Sequence, residues 1–294
     1  MGALNFAMNF TQLWQWLVQP WQYEFMVRAI AVSALVGIVC AMLSCYMILK
    51  GWALMGDAVS HSVLPGVVLS YALNLPYAIG AFVFGLGSVF LIGLIQQQTR
   101  IKEDTVIGLV FTGFFAIGLI LVSKTPSSVP LTHILFGNPL GIPNAELWQT
   151  AIISTVTIIS ILLFRKDLML FCFDQIHAKS IGLPINFLYY LLLTLLSLTI
   201  VAALQTVGIV LVISLLITPA ASAYLLCDRF DRMMLIAVTV GLCASILGTY
   251  ISFYLDVPTG GMIVVLQTLF FLFTFIFAPK HGWLARLNPP NTGL

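Results

Sequence analysis

Charge is what this sequence has least of. Of 294 residues, 12 are Lys or Arg and 10 are Asp or Glu, 7% in all, against roughly a quarter in a soluble domain. So few charges cannot cover a water-soluble chain of this length. A net charge of +2 gives no footing for a nucleic-acid partner. The five cysteines, Cys40, Cys45, Cys172, Cys227 and Cys243, form no C-x-x-C pair and show no zinc spacing, so they read as small apolar filler. The first basic residue is Arg28, which leaves no positive region of the kind a cleaved signal peptide needs. Gly118 to Thr125 reads GLILVSKT, but Ser123 stands where a phosphate-binding loop needs glycine. No H-E-x-x-H or G-x-S-x-G occurs. Nothing here supports an enzyme, and no linker divides residues 1–294 into more than one membrane domain. Any energy-coupling enzyme is expected to be a separate chain.

What the sequence has is apolar length: 61% of it is hydrophobic. A bilayer core needs about 20 apolar residues as helix. Nine stretches qualify, at about 28–49, 57–74, 78–97, 104–123, 146–164, 186–204, 206–226, 233–254 and 261–278. The expected fold is all-α, a polytopic transmembrane bundle of about nine spans, within a range of eight to ten. Basic residues test this count. Lys50, Arg100, Lys102, Arg165, Lys166, Lys179, Arg229, Arg232, Lys280 and Arg286 follow the odd-numbered spans, and only Arg28 and Lys124 lie on the opposite side. That split places the N-terminus outside and the C-terminus in the cytoplasm. Residues 1–27 hold Trp14 to Tyr23 (WQWLVQPWQY), a composition suited to an anchor in the lipid headgroups.

Two spans carry an internal proline beside hydroxyl residues. The second contains Pro65, and the seventh contains Thr218, Pro219 and Ser222. Proline removes a backbone donor, and in lipid the freed carbonyl needs protein or water. Both spans are therefore expected to break and to face a wet pathway. Their opposite directions fit an inverted repeat, with two ordinary kinks as the alternative. In the second span Asp57 and His61 stand four apart, on one helix face. Carboxylate and imidazole together suit Mn, Fe or Zn. The pair alone cannot complete a coordination shell, but two copies of the chain would bring two of each. A proton relay uses the same residue types. The structural reading has Asp57 capping the helix and His61 bonding a carbonyl. His133, His177 and His281 read as surface residues, and Asp256 as a turn residue or part of a docking surface. Residues 165–184 form the longest charged cytoplasmic loop, expected as a short amphipathic helix ended by Gly182 and Pro184.

Several of these segments resemble one family, the membrane permeases of ATP-binding-cassette importers for manganese, zinc and iron. The longest match is Met55-Gly-Asp-Ala-Val-Ser-His-Ser-Val-Leu-Pro-Gly-Val67. Others are Leu216-Ile-Thr-Pro-Ala-Ala-Ser-Ala223, the loop from Phe171 through Asp174, Ala178, Gly182 and Leu183 to Pro184, Leu135-Phe-Gly-Asn138, and Asp256 with Pro258-Thr-Gly260. The resemblance implies a multi-pass protein of the bacterial plasma (inner) membrane, set in lipid and acting as a dimer of permease chains. It implies two cytoplasmic ATPase subunits docked on the loop at 165–184, and an extracytoplasmic metal-binding protein that delivers the ion. It makes Asp57 and His61 the metal pathway or gate. It implies no permanently bound cofactor, only the transported divalent metal. The wording of the long motif is most similar to manganese members, with iron and zinc as alternatives. A secondary transporter driven by an ion gradient, or a membrane scaffold without transport, are the rival classes.

Overall fold

The computed structural model describes residues 18–125, 143–278 and 282. Expectations on His133, on residues 135–138, on Lys280, His281 and Arg286, and on residues before Val18 lie outside these. After a 3-10 turn, Gln19–Gln22, come twelve α-helices among the described residues: α1 Glu24–Lys50, α2 Met55–Ser62, α3 Leu64–Ala72, α4 Tyr77–Gln98, α5 Glu103–Lys124, α6 Asn144–Leu163, α7 Arg165–Phe173, α8 Gln175–Ser180, α9 Ile185–Val207, α10 Ile209–Leu226, α11 Phe230–Leu255 and α12 Thr259–Phe277. Eight of these are long and apolar enough to cross a membrane. The ninth expected span is α2 and α3 in tandem. Together they run from Met55 to Ala72, about 27 Å at 1.5 Å per residue, close to the hydrocarbon thickness of about 30 Å.

The helix ends follow local chemistry. Gly51 closes α1 at φ 77. Its N–H bonds Ile48 O at 3.2 Å, and the Trp52 N–H bonds Met47 O at 2.8 Å, the paired bonds of a Schellman cap. Asn74 takes φ 54 in the turn expected before Pro76. One residue, Gly208 at φ 86 and ψ 165, separates α9 from α10; that backbone region is nearly closed to side chains. Asp256 caps α11 at φ 52, and Ser252 Oγ donates to Val257 O at 2.6 Å beside it, so Asp256 is a turn residue. Before α1, Trp21 and Tyr23 stand exposed.

Two helices sit innermost. The apolar stretches of α1 and α9 are each 72% buried, against 22% for α5 and α6 and 17% for α12. Helix α1 packs on α10 and α11, and α12 closes that group. Helix α9 packs on α4 and α6, and α2 to α5 form the other group. Lipid tails are as apolar as leucine, so close approach of backbones drives such packing. A Cβ at Gly37 on α1 would lie 2.4 Å from Ser245 Oγ on α11, and one at Gly66 on α3 would lie 2.1 Å from the carbonyl oxygen of Gly80 on α4. Polar ties close the ends. Arg28 pairs with Glu24 and donates to Asn144 Oδ1 at 2.6 Å, and Arg165 pairs with Asp231.

One expected break does not occur. Helix α10 runs unbroken from Ile209 to Leu226 with Pro219 inside it. A proline removes only one donor, and Ala220 and Ala221, the strongest helix formers, follow it. Ser222 Oγ adds a bond to Thr218 O at 2.9 Å. Pro65, Thr218, Pro219 and Ser222 are therefore not four members of one kind of break. Only Pro65 stands at a helix interruption.

Candidate metal pathway

Helix α2 is eight residues long and carries both expected ligands. His61 Nε2 lies 3.3 Å from Asp57 Oδ1, and the two side chains keep 30% and 39% exposure. The cap reading does not hold for Asp57, since α2 has no side-chain cap bond. The His61 ring lies tilted to Phe111 at 5.4 Å and roughly perpendicular to Phe115 at 5.3 Å. Those two rings belong to the middle turns of α5. On the other side a Cβ at Gly56 would lie 3.1 Å from Leu216 Cδ1, near the middle of α10. Both contacts set the pair at mid-height of the bundle, where an ionisable residue is costly and calls for a function. No group of three or more His, Cys, Asp or Glu that could hold a metal occurs among the described residues. One chain thus offers a half-shell of carboxylate and imidazole, open on one side.

The hydroxyl residues of α10 are bound elsewhere. Ser214 Oγ donates to Gln267 Oε1 of α12 at 2.6 Å and lies 3.5 Å from Thr218 Oγ1. Ser214 and Thr218 each stand two residues from Leu216, about 200° round the helix, so they point away from α2. The structure brings Asp57 and His61 together and leaves Thr218 and Ser222 in the packing of α10.

The loop at 165–184 is two helices, not one. Asp174 accepts from Ile176 N at 2.9 Å and from His177 N at 3.0 Å. This is an N-cap, and it starts α8 and ends α7. Gly182 and Leu183 then close α8 by bonds to Lys179 O and Ala178 O, both at 3.1 Å. Phe171 and Ala178 are fully buried, so they pack inward and offer nothing to another chain. The outward groups are Phe173, 79% exposed, and Ile176, 85% exposed. Helical spacing over so short a segment does not resolve which face is buried. Burial also pushes the Cys172 thiol up to about 12, against a smaller lowering by Lys50, so it remains a protonated, inert thiol at neutral pH.

A cluster that spacing could not reveal joins this loop to α2. Trp52 Nε1 donates to Glu103 Oε2 at 2.9 Å, across 51 residues of sequence. Lys50 Nζ lies 5.1 Å from the Phe171 ring centre and 5.8 Å from that of Trp52.

Residues 22–278 match the ABC 3 transport family. The chain is 61% identical over 273 residues to the manganese transport system membrane protein MntB of Synechocystis sp., covering 93% of this chain and 89% of that one. It is 54% identical over 282 residues to the chelated iron transport system membrane protein YfeC of Yersinia pestis, covering 93% and 96%. PsaBC from Streptococcus pneumoniae in complex with Fab superposes with a TM-score of 0.82 at 40% identity, over 94% of this chain and 100% of that chain.

Proposed function

We propose that this chain, which belongs to the ABC 3 transport family, forms with a second copy of itself the membrane pathway of an ATP-driven importer of divalent transition-metal ions, Mn(II) foremost. The carrying observation is the pair Asp57 and His61, 3.3 Å apart at mid-height on an interrupted span. Two copies meeting at this face supply two carboxylates, which match one divalent charge, and two imidazoles. That is a donor set borderline metals accept and alkali ions do not favour. The ion enters as substrate, exchanges water for these ligands, and leaves when the helices move. Metal reaches the pathway from an extracytoplasmic binding protein. ATP is hydrolysed on separate cytoplasmic subunits that dock on α7 and α8, with exposed Phe173 and Ile176 as anchors beside Asp174, Gly182, Leu183 and Pro184. The manganese reading is supported by the 61% identical relative, and the iron reading by the 54% identical one.

The test is uptake of Mn(II), Fe(II) and Zn(II), each alone, in a strain lacking this chain. The wild-type chain restores Mn(II) uptake. Asp57→Ala and His61→Ala each lower it by more than about tenfold, as lost metal-site groups do, at unchanged protein level. Unimpaired uptake in both variants removes the pathway assignment, and restoration of Fe(II) or Zn(II) uptake alone moves the substrate. Purification without a bound ATPase would favour a gradient-driven transporter.

A further inference from the structure

The short helix that carries Asp57 and His61 is hinged at both ends. Before it, Gly51 holds φ 77, with open space where a side chain would stand. After it, Val63 keeps helical angles, φ −69 and ψ −25, but Pro65 has no N–H to bond back to His61 O. A helix of eight residues between two such points can tilt as one body. What grips its lower end is Trp52. The Met55 N–H, at the start of α2, bonds Trp52 O at 3.0 Å, while the Trp52 N–H bonds Met47 O of α1 at 2.8 Å, so Trp52 is the joint between the two helices. Its side chain is fully buried. The indole N–H is held by Glu103 on α5. The ring stands edge-on to Tyr189 at 5.6 Å, and Tyr189 stands edge-on to Phe171 of α7 at 6.4 Å. Lys50 lies against both Phe171 and Trp52. Tyr189 also donates to Gln96 Oε1 at 3.0 Å, while Gln96 Nε2 is buried without a partner. A buried donor left over is a bond that a second arrangement of the cluster can gain.

We propose that Trp52, locked to Glu103 and packed through Tyr189 and Lys50 on Phe171, is the positioning residue by which the cytoplasmic loop tilts the Asp57–His61 helix. This rests on the ATPase docking at α7 and α8 proposed above. Displacement of α7 moves Phe171. The packed rings are not compressible, so Trp52 must follow or the Glu103 bond must break. Either way the force reaches α2 through three residues of backbone. Trp52 touches no metal; it sets where the ligands stand.

The experiment uses the permease assembled with its ATPase in proteoliposomes and reads Mn(II) transported per ATP hydrolysed. Trp52→Phe keeps a ring but loses the indole N–H, and Glu103→Ala removes the acceptor. Both lower the Mn(II)-to-ATP ratio by about three- to tenfold, the span of coupling changes typical of residues between two sites, with wild-type amounts of ATPase bound. Glu103→Gln keeps an acceptor oxygen and returns most of the ratio. Wild-type ratios in both Trp52→Phe and Glu103→Ala overturn the proposal. So does a fall in transport and hydrolysis in equal proportion, which marks a residue that only holds the fold. A wild-type chain that binds no ATPase fails earlier, and removes the docking reading itself.

Discussion

Two membrane crossings of this chain contain an internal proline, and they respond in opposite ways. The crossing made by α2 and α3 is interrupted beside Pro65, while α10 passes through Pro219 without a break. The proline is the same; the neighbours differ. Hydroxyl back-bonds occur in both crossings, from Ser222 to Thr218 O at 2.9 Å after Pro219, and from Ser60 to Gly56 O at 2.8 Å and Ser62 to Ala58 O at 2.7 Å before Pro65. After it stands Gly66, a weak helix former. After Pro219 stand two alanines. The crossing that breaks is also the one that holds an ionisable pair, and the one that stays whole is clamped among α1, α11 and α12. A proline in a membrane helix therefore marks a place where motion is available, and its neighbours decide whether the chain uses it.

The largest test of this contrast is Gly66→Ala. The new methyl meets the Gly80 carbonyl at 2.1 Å, backbone that cannot swing aside. We expect a loss near the upper end of the overpacking range, about 1–3 kcal/mol, read as a lower thermal midpoint in detergent. Next is the proline exchange. Pro65→Ala restores a donor that can bond His61 O and join α2 to α3. It should raise stability, by at most the interior proline penalty of about 3 kcal/mol, and slow Mn(II) uptake several-fold. Pro219→Ala should leave uptake at the wild-type rate. Equal effects of the two exchanges would erase the distinction between the crossings. The smallest effect concerns the clamp on α10. Gln267→Leu removes the acceptor of Ser214 and should cost about 0.6 kcal/mol, the average for interhelical bonds in membranes, with uptake unchanged.

These differences show where the sequence could be read and where it could not. The spans were legible because hydrophobic length and the side of the basic residues are additive, one-dimensional properties. All nine expected spans coincide with helix among the described residues. Asp57 and His61 were legible because four residues on a helix share a face. The break expected at Pro219 does not occur because proline and its hydroxyl neighbours do not outweigh the two alanines that follow. The burial of Phe171 is not legible because a nine-residue helix is too short for periodicity to separate its faces, and nothing in the spacing marks Asp174 as the cap that divides the loop. The Trp52–Glu103 bond spans 51 residues. No local pattern encodes such a meeting, though a tryptophan beside a helix-ending glycine, just before the ligand motif, was a residue to ask about.

The burial of α1 has a consequence for how the protein is made. It leaves the ribosome before every other described helix, yet its main partner, α11, begins 180 residues after α1 ends. At about 5–20 residues per second, α1 waits on the order of ten to forty seconds in lipid. During that wait Gly37 lacks Gly241 and Ser245 of α11, against which it finally packs. Its cell therefore meets this protein first as an unpaired helix with a small, partly polar face. That interval, rather than the finished bundle, is where a membrane protease or insertase has its chance to act.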